Sequence, residues 1–284
     1  MLINVLHRQV RNRYVRHGFK SRTLEVGRCT MHYLVRQRDE SPFTLILLHG
    51  LGTSSTTWVN LIPTLNNTVT VLVPDLPGHG LSTVRSGEPF FRLNELHQSV
   101  ATFIREIAPA PLFVLGHSLG GWLAAHYATE NPRNIRHLVL VDSAGILNEE
   151  TIDQGKAFQL DSLSDLRKLM NNLWFKYPWY FKLFSHAVFN DLRDRRVSEF
   201  VRTIRREDFL NEQLKDLTMK VSIVWGKEDK LISTKSLEIA RRAVPQAQIH
   251  LIEQCGHVPQ LERPKEFNAL INKILNDETE AARD

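Results

Sequence analysis

Residues 112–121 read Leu112-Phe113-Val114-Leu115-Gly116-His117-Ser118-Leu119-Gly120-Gly121. The four apolar residues predict a buried strand over 112–115, and the stretch after Ser118 predicts a helix over 119–130. Between them lies G-x-S-x-G, which seats a serine on a sharp turn from strand to helix. Such a turn strains the backbone of Ser118, and small residues two positions to either side let strand and helix approach. Ser118 Oγ then projects above the carboxyl edge of a sheet, where open α/β sheets place their ligands.

Working outward, residues 43–48, 69–73, 137–141, 221–225 and 248–252 are near-continuous apolar runs. Runs of that kind suit strands covered on both faces. Residues 23–27 and 30–36 predict a hairpin around Gly27. Helical stretches over about 94–108, 119–130, 234–243 and 264–276 alternate with the strands. That alternation predicts an α/β fold with a mostly parallel sheet and right-handed crossovers. Residues 145–218 break the pattern, with no convincing strand, several short helices, and twelve bases against twelve acids. Between Trp174 and Phe184, seven of eleven residues are aromatic: Trp174, Phe175, Tyr177, Trp179, Tyr180, Phe181 and Phe184. That density asks for a second apolar surface. It either lines an apolar pocket or packs a cap onto the core.

A serine hydroxyl is a weak nucleophile until a base takes its proton. His257, in Cys255-Gly256-His257-Val258-Pro259, sits in a loop just after a strand, as the base requires. His126 falls in a helix, and His137 and His250 fall in strands; all three read as structural. Asp229, after strand 221–225, is the expected carboxylate partner of His257, in the chain order Ser, Asp, His. Two rivals stand beside it: Glu228, which should point elsewhere, and Asp142, which ends another strand. The developing oxyanion needs two positioned N–H donors. The Leu119 amide and the Leu51 amide, in the glycine-rich loop His49-Gly50-Leu51-Gly52, are expected to supply them. Gly50 and His117 beside them, with Trp174 and Trp179, are the expected substrate contacts.

Five motifs in order resemble the α/β-hydrolase superfamily, in its cap-bearing serine esterase and lipase branch. They are His49-Gly50-Leu51-Gly52, the loop from Asp75 to Ser82, Gly116 to Gly121, Gly226-Lys227-Glu228-Asp229, and Gly256 to Glu262. The resemblance covers about residues 23–276. It implies an eight-stranded, mostly parallel sheet with a helical cap after the sixth strand. The core would be 23–144 and 219–284, the cap 145–218, and residues 1–22 a separate basic arm. It also implies Ser118, Asp229 and His257 as a catalytic triad, and Asp75, Gly78, Gly80 and Ser82 as a structural loop. Relatives with an aspartate nucleophile, such as haloalkane dehalogenases and epoxide hydrolases, are excluded by Ser118. The expected activity is hydrolysis of apolar carboxylic esters, including acylglycerols. Carbon–carbon bond hydrolysis, perhydrolysis and non-catalytic ligand binding stay open as alternatives.

Composition agrees with a folded domain. The chain has 284 residues, 42% hydrophobic and 24% charged, which excludes disordered and collagen-like classes. No apolar run reaches the length of a membrane-spanning helix. The two cysteines, Cys29 and Cys255, form no CxxC motif, which suits a cytoplasmic protein. The net charge is +5. Residues 1–22 hold six bases (Arg8, Arg11, Arg13, Arg16, Lys20 and Arg22) and no acid, leaving 30 bases against 31 acids elsewhere. The basicity therefore belongs to the arm, and no nucleic-acid partner is expected. Ile3, Leu6, Val10 and Tyr14 share a helical face in that arm, which could rest on an anionic membrane or on its own domain. Neither HExxH nor an i, i+4 pairing of a histidine with an acid stands out, so no metal ion and no cofactor are expected.

Overall fold

The apolar runs become one sheet in the computed structural model, which describes residues 10–85, 91–151, 156–194 and 197–282. Its strands are β1 (Lys20–Val26), β2 (Cys29–Arg36), β3 (Thr44–Leu48), β4 (Thr70–Pro74), β5 (Leu112–His117), β6 (Ile135–Val141), β7 (Lys220–Gly226) and β8 (Gln248–Ile252). The spatial order is β1-β2-β4-β3-β5-β6-β7-β8, and a two-residue strand, Thr83–Val84, adds to β2. From β4 to β8 every neighbouring pair is parallel, whereas β1 and β2 run antiparallel.

Why the central strands read as continuous apolar runs is visible in their side chains. Along β3, Leu45 and Leu47 enter one core cluster while Ile46 and Leu48 enter the other. The same alternation holds for Phe113 and Leu115 against Leu112 and Val114 on β5. Each face is covered, so each strand position is apolar, and each fully buried side chain contributes about 1.5–3 kcal/mol. One face is covered by α1 (Leu93–Ile107) and α2 (Leu119–Glu130), the other by α8 (Pro264–Glu280). Leu93, Leu96, Val100, Phe103 and Ile104 form the buried stripe of α1, at helical spacing. The last helix runs past the expected 276 to 280. Arg136 Nε, Lys220 Nζ and His137 Nδ1 surround the Glu278 carboxylate at 2.7, 2.7 and 3.3 Å and hold the final turn against β6 and β7.

Between β6 and β7 the chain runs through residues 145–218. The described part holds α3 (Leu163–Leu173), α4 (Ser185–Asp194), α5 (Val197–Thr203) and short 3₁₀ turns, with no strand. Two short segments follow β7 and β8: α6 (Thr234–Ala243) and α7 (Pro259–Glu262). Among the described residues no helix is long and apolar enough to cross a membrane. The two cysteines are free and buried.

The first arm differs from a face turned outward. Ile3, Leu6 and Arg8 lie outside the described residues. Residues 10–16 are helical. Tyr14 is buried, packs edge-on against Phe19 and donates its hydroxyl proton to the Ser55 carbonyl at 2.5 Å. Val10 packs on the same cluster, while Arg11, Arg13 and Arg16 stay exposed. The described apolar face of the arm thus covers its own domain.

Asp75, at the end of β4, organises the loops above the sheet. One carboxylate oxygen accepts the Ser55 N–H at 2.7 Å; the other accepts the Leu81 N–H at 2.9 Å and faces His32 Nδ1 at 2.8 Å. Gly80, at φ 56°, is needed because a side chain there would overlap the carboxylate. Burial alone would raise the pKa of Asp75, but the His32 hydrogen bond, nearby His49 and the two amides outweigh it and hold it at about 2. A depressed carboxylate pKa gives stability that is full above the usual carboxylate range and lost as pH falls from about 4 toward 2. Asp75→Asn should therefore lower stability by about 2 kcal/mol at pH 7. Urea unfolding of both proteins between pH 7 and pH 3 should show their difference shrinking at the acid end.

Candidate active site

The site begins with a strained residue. Ser118 sits between β5 and α2 at φ 54° and ψ −118°. A non-glycine residue there costs about 1–3 kcal/mol and persists only where its surroundings over-determine it. Here they do. The Ser118 N–H donates to the Val141 carbonyl at 3.0 Å, and its own carbonyl accepts from Trp122 and Ala144 at 3.0 and 3.1 Å. A side chain on Gly116 would overlap the Gly120 carbonyl, and one on Gly120 would overlap the Leu48 carbonyl. The two glycines of G-x-S-x-G therefore let strand, turn and helix touch backbone to backbone.

The second part comes from the carboxyl ends of β7 and β8. His257 Nδ1 lies 2.7 Å from Asp229 Oδ2, and both residues are buried. The other oxygen of Asp229 accepts the Leu231 and Ile232 N–H groups at 2.8 and 3.0 Å. A carboxylate facing Nδ1 fixes the proton there and leaves Nε2 bare to accept one. Glu228 points elsewhere: its carboxylate accepts the Cys255 N–H at 2.9 Å and braces the His257 loop.

Asp142 is closer to this pair than chain position alone suggests. It is fully buried at φ 40°, and one of its oxygens accepts the Gly226 N–H at 2.8 Å. Ligand atoms of Asp142, Asp229 and His257 lie within 4.8 Å of one another. Burial, then repulsion from Asp229, pushes the Asp142 pKa well above the usual carboxylate range. Asp142 therefore gives up its proton less readily than an ordinary carboxyl group.

His117 ties the two parts together. Its Nε2 donates to the His257 carbonyl at 2.7 Å, and the two rings lie 5.0 Å apart. Burial and the proximity of His257 lower its pKa to about 3. A Cβ on Gly50 would approach His117 Nδ1 to 2.9 Å and Ser118 Cβ to 3.2 Å. Gly50 therefore allows the loop after β3 to lie directly over Ser118.

A cavity of about 220 Å³ opens beside Ser118, with Leu51 and Leu119 in its wall. Leu119 is the first residue of α2, so its N–H has no helical acceptor. The rest of the wall is mainly apolar, including Trp122, Ile146, Phe158, Phe200 and Phe209, with Arg205 and Arg206 as the charged members. Of the expected substrate contacts, Gly50, His117, Trp174 and Trp179 do not line it. Trp174 is buried against Phe181, with ring centroids 5.6 Å apart, and Trp179 is 73% exposed. The side chain of Tyr180 lies outside the described residues. The aromatic run packs and faces outward instead of lining the cavity, because a different stretch of 145–218 turns inward. Phe158, Phe200 and Phe209 are spread through the sequence and gave no local signal.

Glu262 was also missed as a fastener. Its carboxylate accepts the Gly256 and Phe175 N–H groups on one oxygen, at 2.8 and 3.1 Å, and the Lys176 N–H on the other at 2.9 Å. The His257 N–H donates to the Leu173 carbonyl at 2.8 Å. The end of α3 and the histidine loop are thereby one rigid piece. A further correction concerns metal ligands. His126 and Glu130 do form an i, i+4 histidine–acid pair on α2, and His97 on α1 completes a cluster with them.

A sequence profile of the Alpha/beta hydrolase family matches residues 45–270. A monoacylglycerol lipase of Xenopus laevis is 22% identical over 287 residues, covering 91% of this chain and 83% of that one. Lipase 1 of Psychrobacter immobilis is 28% identical over 240 residues, covering 77% and 72%. The crystal structure of a candidate lipase from Acinetobacter baumannii superposes with a TM-score of 0.84 at 26% identity, covering 97% and 96%. With the sheet order, the strained serine and the matched span in agreement, the chain belongs to the alpha/beta hydrolase family.

Proposed function

We propose that this chain hydrolyses carboxylic esters of apolar short- to medium-chain acids, acylglycerols among them, through an acyl-enzyme. The observation that carries the reading is a strained Ser118 at the wall of an apolar cavity, with the buried His257–Asp229 pair held to its neighbour His117. His257 Nε2 takes the proton as Ser118 Oγ attacks the ester carbonyl. The Leu51 and Leu119 amides hold the tetrahedral oxyanion, helped by the positive end of α2. His257 then protonates the leaving alcohol. Water, deprotonated by the same nitrogen, releases the acid. Asp229 stabilises the imidazolium throughout. Residues 145–218 act as the cap whose inner aromatics hold the acyl chain. The lipase relatives support the ester as the bond cleaved.

The second reading, carbon–carbon bond hydrolysis, is favoured by one feature: Arg205 and Arg206 in the cavity wall could anchor a substrate carboxylate. Initial rates on p-nitrophenyl esters from two to sixteen carbons separate the readings. Wild type should cleave them, with an optimum at short to medium chains. Ser118→Ala should lose on the order of 10⁶ in kcat. Turnover of vinylogous diketone acids but not esters, abolished by Arg205→Ala, would favour the second reading. Asp229→Asn should lose on the order of 10⁴. Asp142→Asn, whose side-chain oxygen can still accept the Gly226 N–H, should stay within about tenfold of wild type.

Peripheral contact with an anionic bilayer belongs to the same proposal. The arm alone supports it less than the cap does. Residues 166–190 carry four bases and no acid, and within them Trp179 and Leu183 are 73% and 72% exposed. An aromatic anchor beside cations suits a bilayer interface. Sedimentation with phosphatidylglycerol vesicles should fall severalfold in Trp179→Ser/Leu183→Ser, and less on removal of residues 1–9. Equal sedimentation of all three proteins would reject the contact.

A further inference from the structure

The helix that starts at the nucleophile ends in a second cluster of titratable groups. His126 and Glu130 lie one turn apart near the C-terminus of α2, and His97 reaches them from α1. Glu130 Oε2 is 3.3 Å from His97 Nε2, and Glu130 Oε1 is 3.7 Å from His126 Nδ1. Yet neither histidine nitrogen makes a hydrogen bond among the described residues, although both atoms are buried. His97 itself is 3% exposed. Two buried nitrogens without hydrogen-bond partners, beside one carboxylate, are an expensive arrangement for a helix contact alone.

We propose that His97, His126 and Glu130 bind a divalent transition-metal ion of the zinc class. The three ligand atoms lie within 4.8 Å of one another. A tetrahedral ion with bonds of about 2.0–2.1 Å to nitrogen and oxygen has ligand–ligand edges of roughly 3.4 Å. The 3.3 Å from Glu130 Oε2 to His97 Nε2 is near that edge length; His126 Nδ1 lies 3.7 Å from the other carboxylate oxygen and its ring stacks 3.7 Å from that of His97, so the His126 and Glu130 side chains must rotate to point at one ion. Two imidazoles and a carboxylate suit zinc, cobalt or nickel better than magnesium or calcium, which prefer oxygen. The Glu130 side chain is 51% exposed, which gives the ion an entry path and leaves room for water as the fourth ligand. Arg105, also on α1, turns its guanidinium to Thr102 Oγ1 at 2.9 Å.

The ion would clamp α1 to the far end of α2. Eight to twelve residues separate His126 and Glu130 from Ser118, about 12–18 Å along the helix. The site is therefore distinct from the hydrolytic centre and acts on the rigidity of the helix that carries the oxyanion donor Leu119.

The test is titration of the chelator-stripped full chain with zinc chloride and, for its visible spectrum, cobalt chloride. The expected result is one equivalent bound with micromolar or tighter affinity, tetrahedral cobalt absorption, and a rise in Tm of about 5 °C at a hundredfold excess over Kd. Glu130→Gln, at a half-exposed position, should weaken binding at least tenfold, and His97→Gln likewise. No stoichiometric binding by wild type overturns the proposal, as does binding unchanged in Glu130→Gln and His97→Gln. Both results are independent of ester hydrolysis, so they stand or fall separately from the proposed reaction.

Discussion

The structure depends on the backbone of one residue. Ser118 is held at φ 54° because β5 must end, turn and become α2 within a few residues, while β3 and its loop press on the turn. Gly116 and Gly120 remove the side chains that would block that approach, and Gly50 does the same from the opposite loop. The strain of about 1–3 kcal/mol is offset by amide hydrogen bonds to β6 and by burial on both sheet faces. Because the turn is over-determined, the hydroxyl, the α2 amide and the β3 loop share one fixed frame.

A second frame is built around His257 and is electrostatic. Asp229 has both oxygens satisfied, by His257 and by two backbone amides. Burial, and then repulsion from Asp229, raises the pKa of Asp142 beside it well above the usual carboxylate range. The loop is then fastened from two sides. His117 donates to the His257 carbonyl from the Ser118 side, and Glu262 gathers amides of the loop and of residues 175–176 from the other. The position of the histidine is thus set by the same elements that place the serine and the end of α3.

The distribution of aromatic residues in 145–218 follows from packing geometry. Short helical segments let Phe158, Phe200 and Phe209 converge on the cavity from separate turns. The dense run 174–184 is consumed elsewhere. Trp174 packs its ring on Phe181, and Trp179 faces outward. Local density of apolar residues therefore says that a second surface exists, but not which surface it is.

The sequence by itself determined the α/β alternation, because strands covered on both faces must be apolar at every position. It also marked the turn at Ser118, because only glycine permits backbone contact there, and it placed His257 and Asp229 at strand ends by their loop context. Only the tertiary structure decided which aromatics line the cavity, that Tyr14 turns inward, that Asp142 sits against Asp229, and that His97 meets His126 and Glu130. Each of these is a contact between residues distant in the chain, whose approach is set by how helices and loops pack and not by any local period.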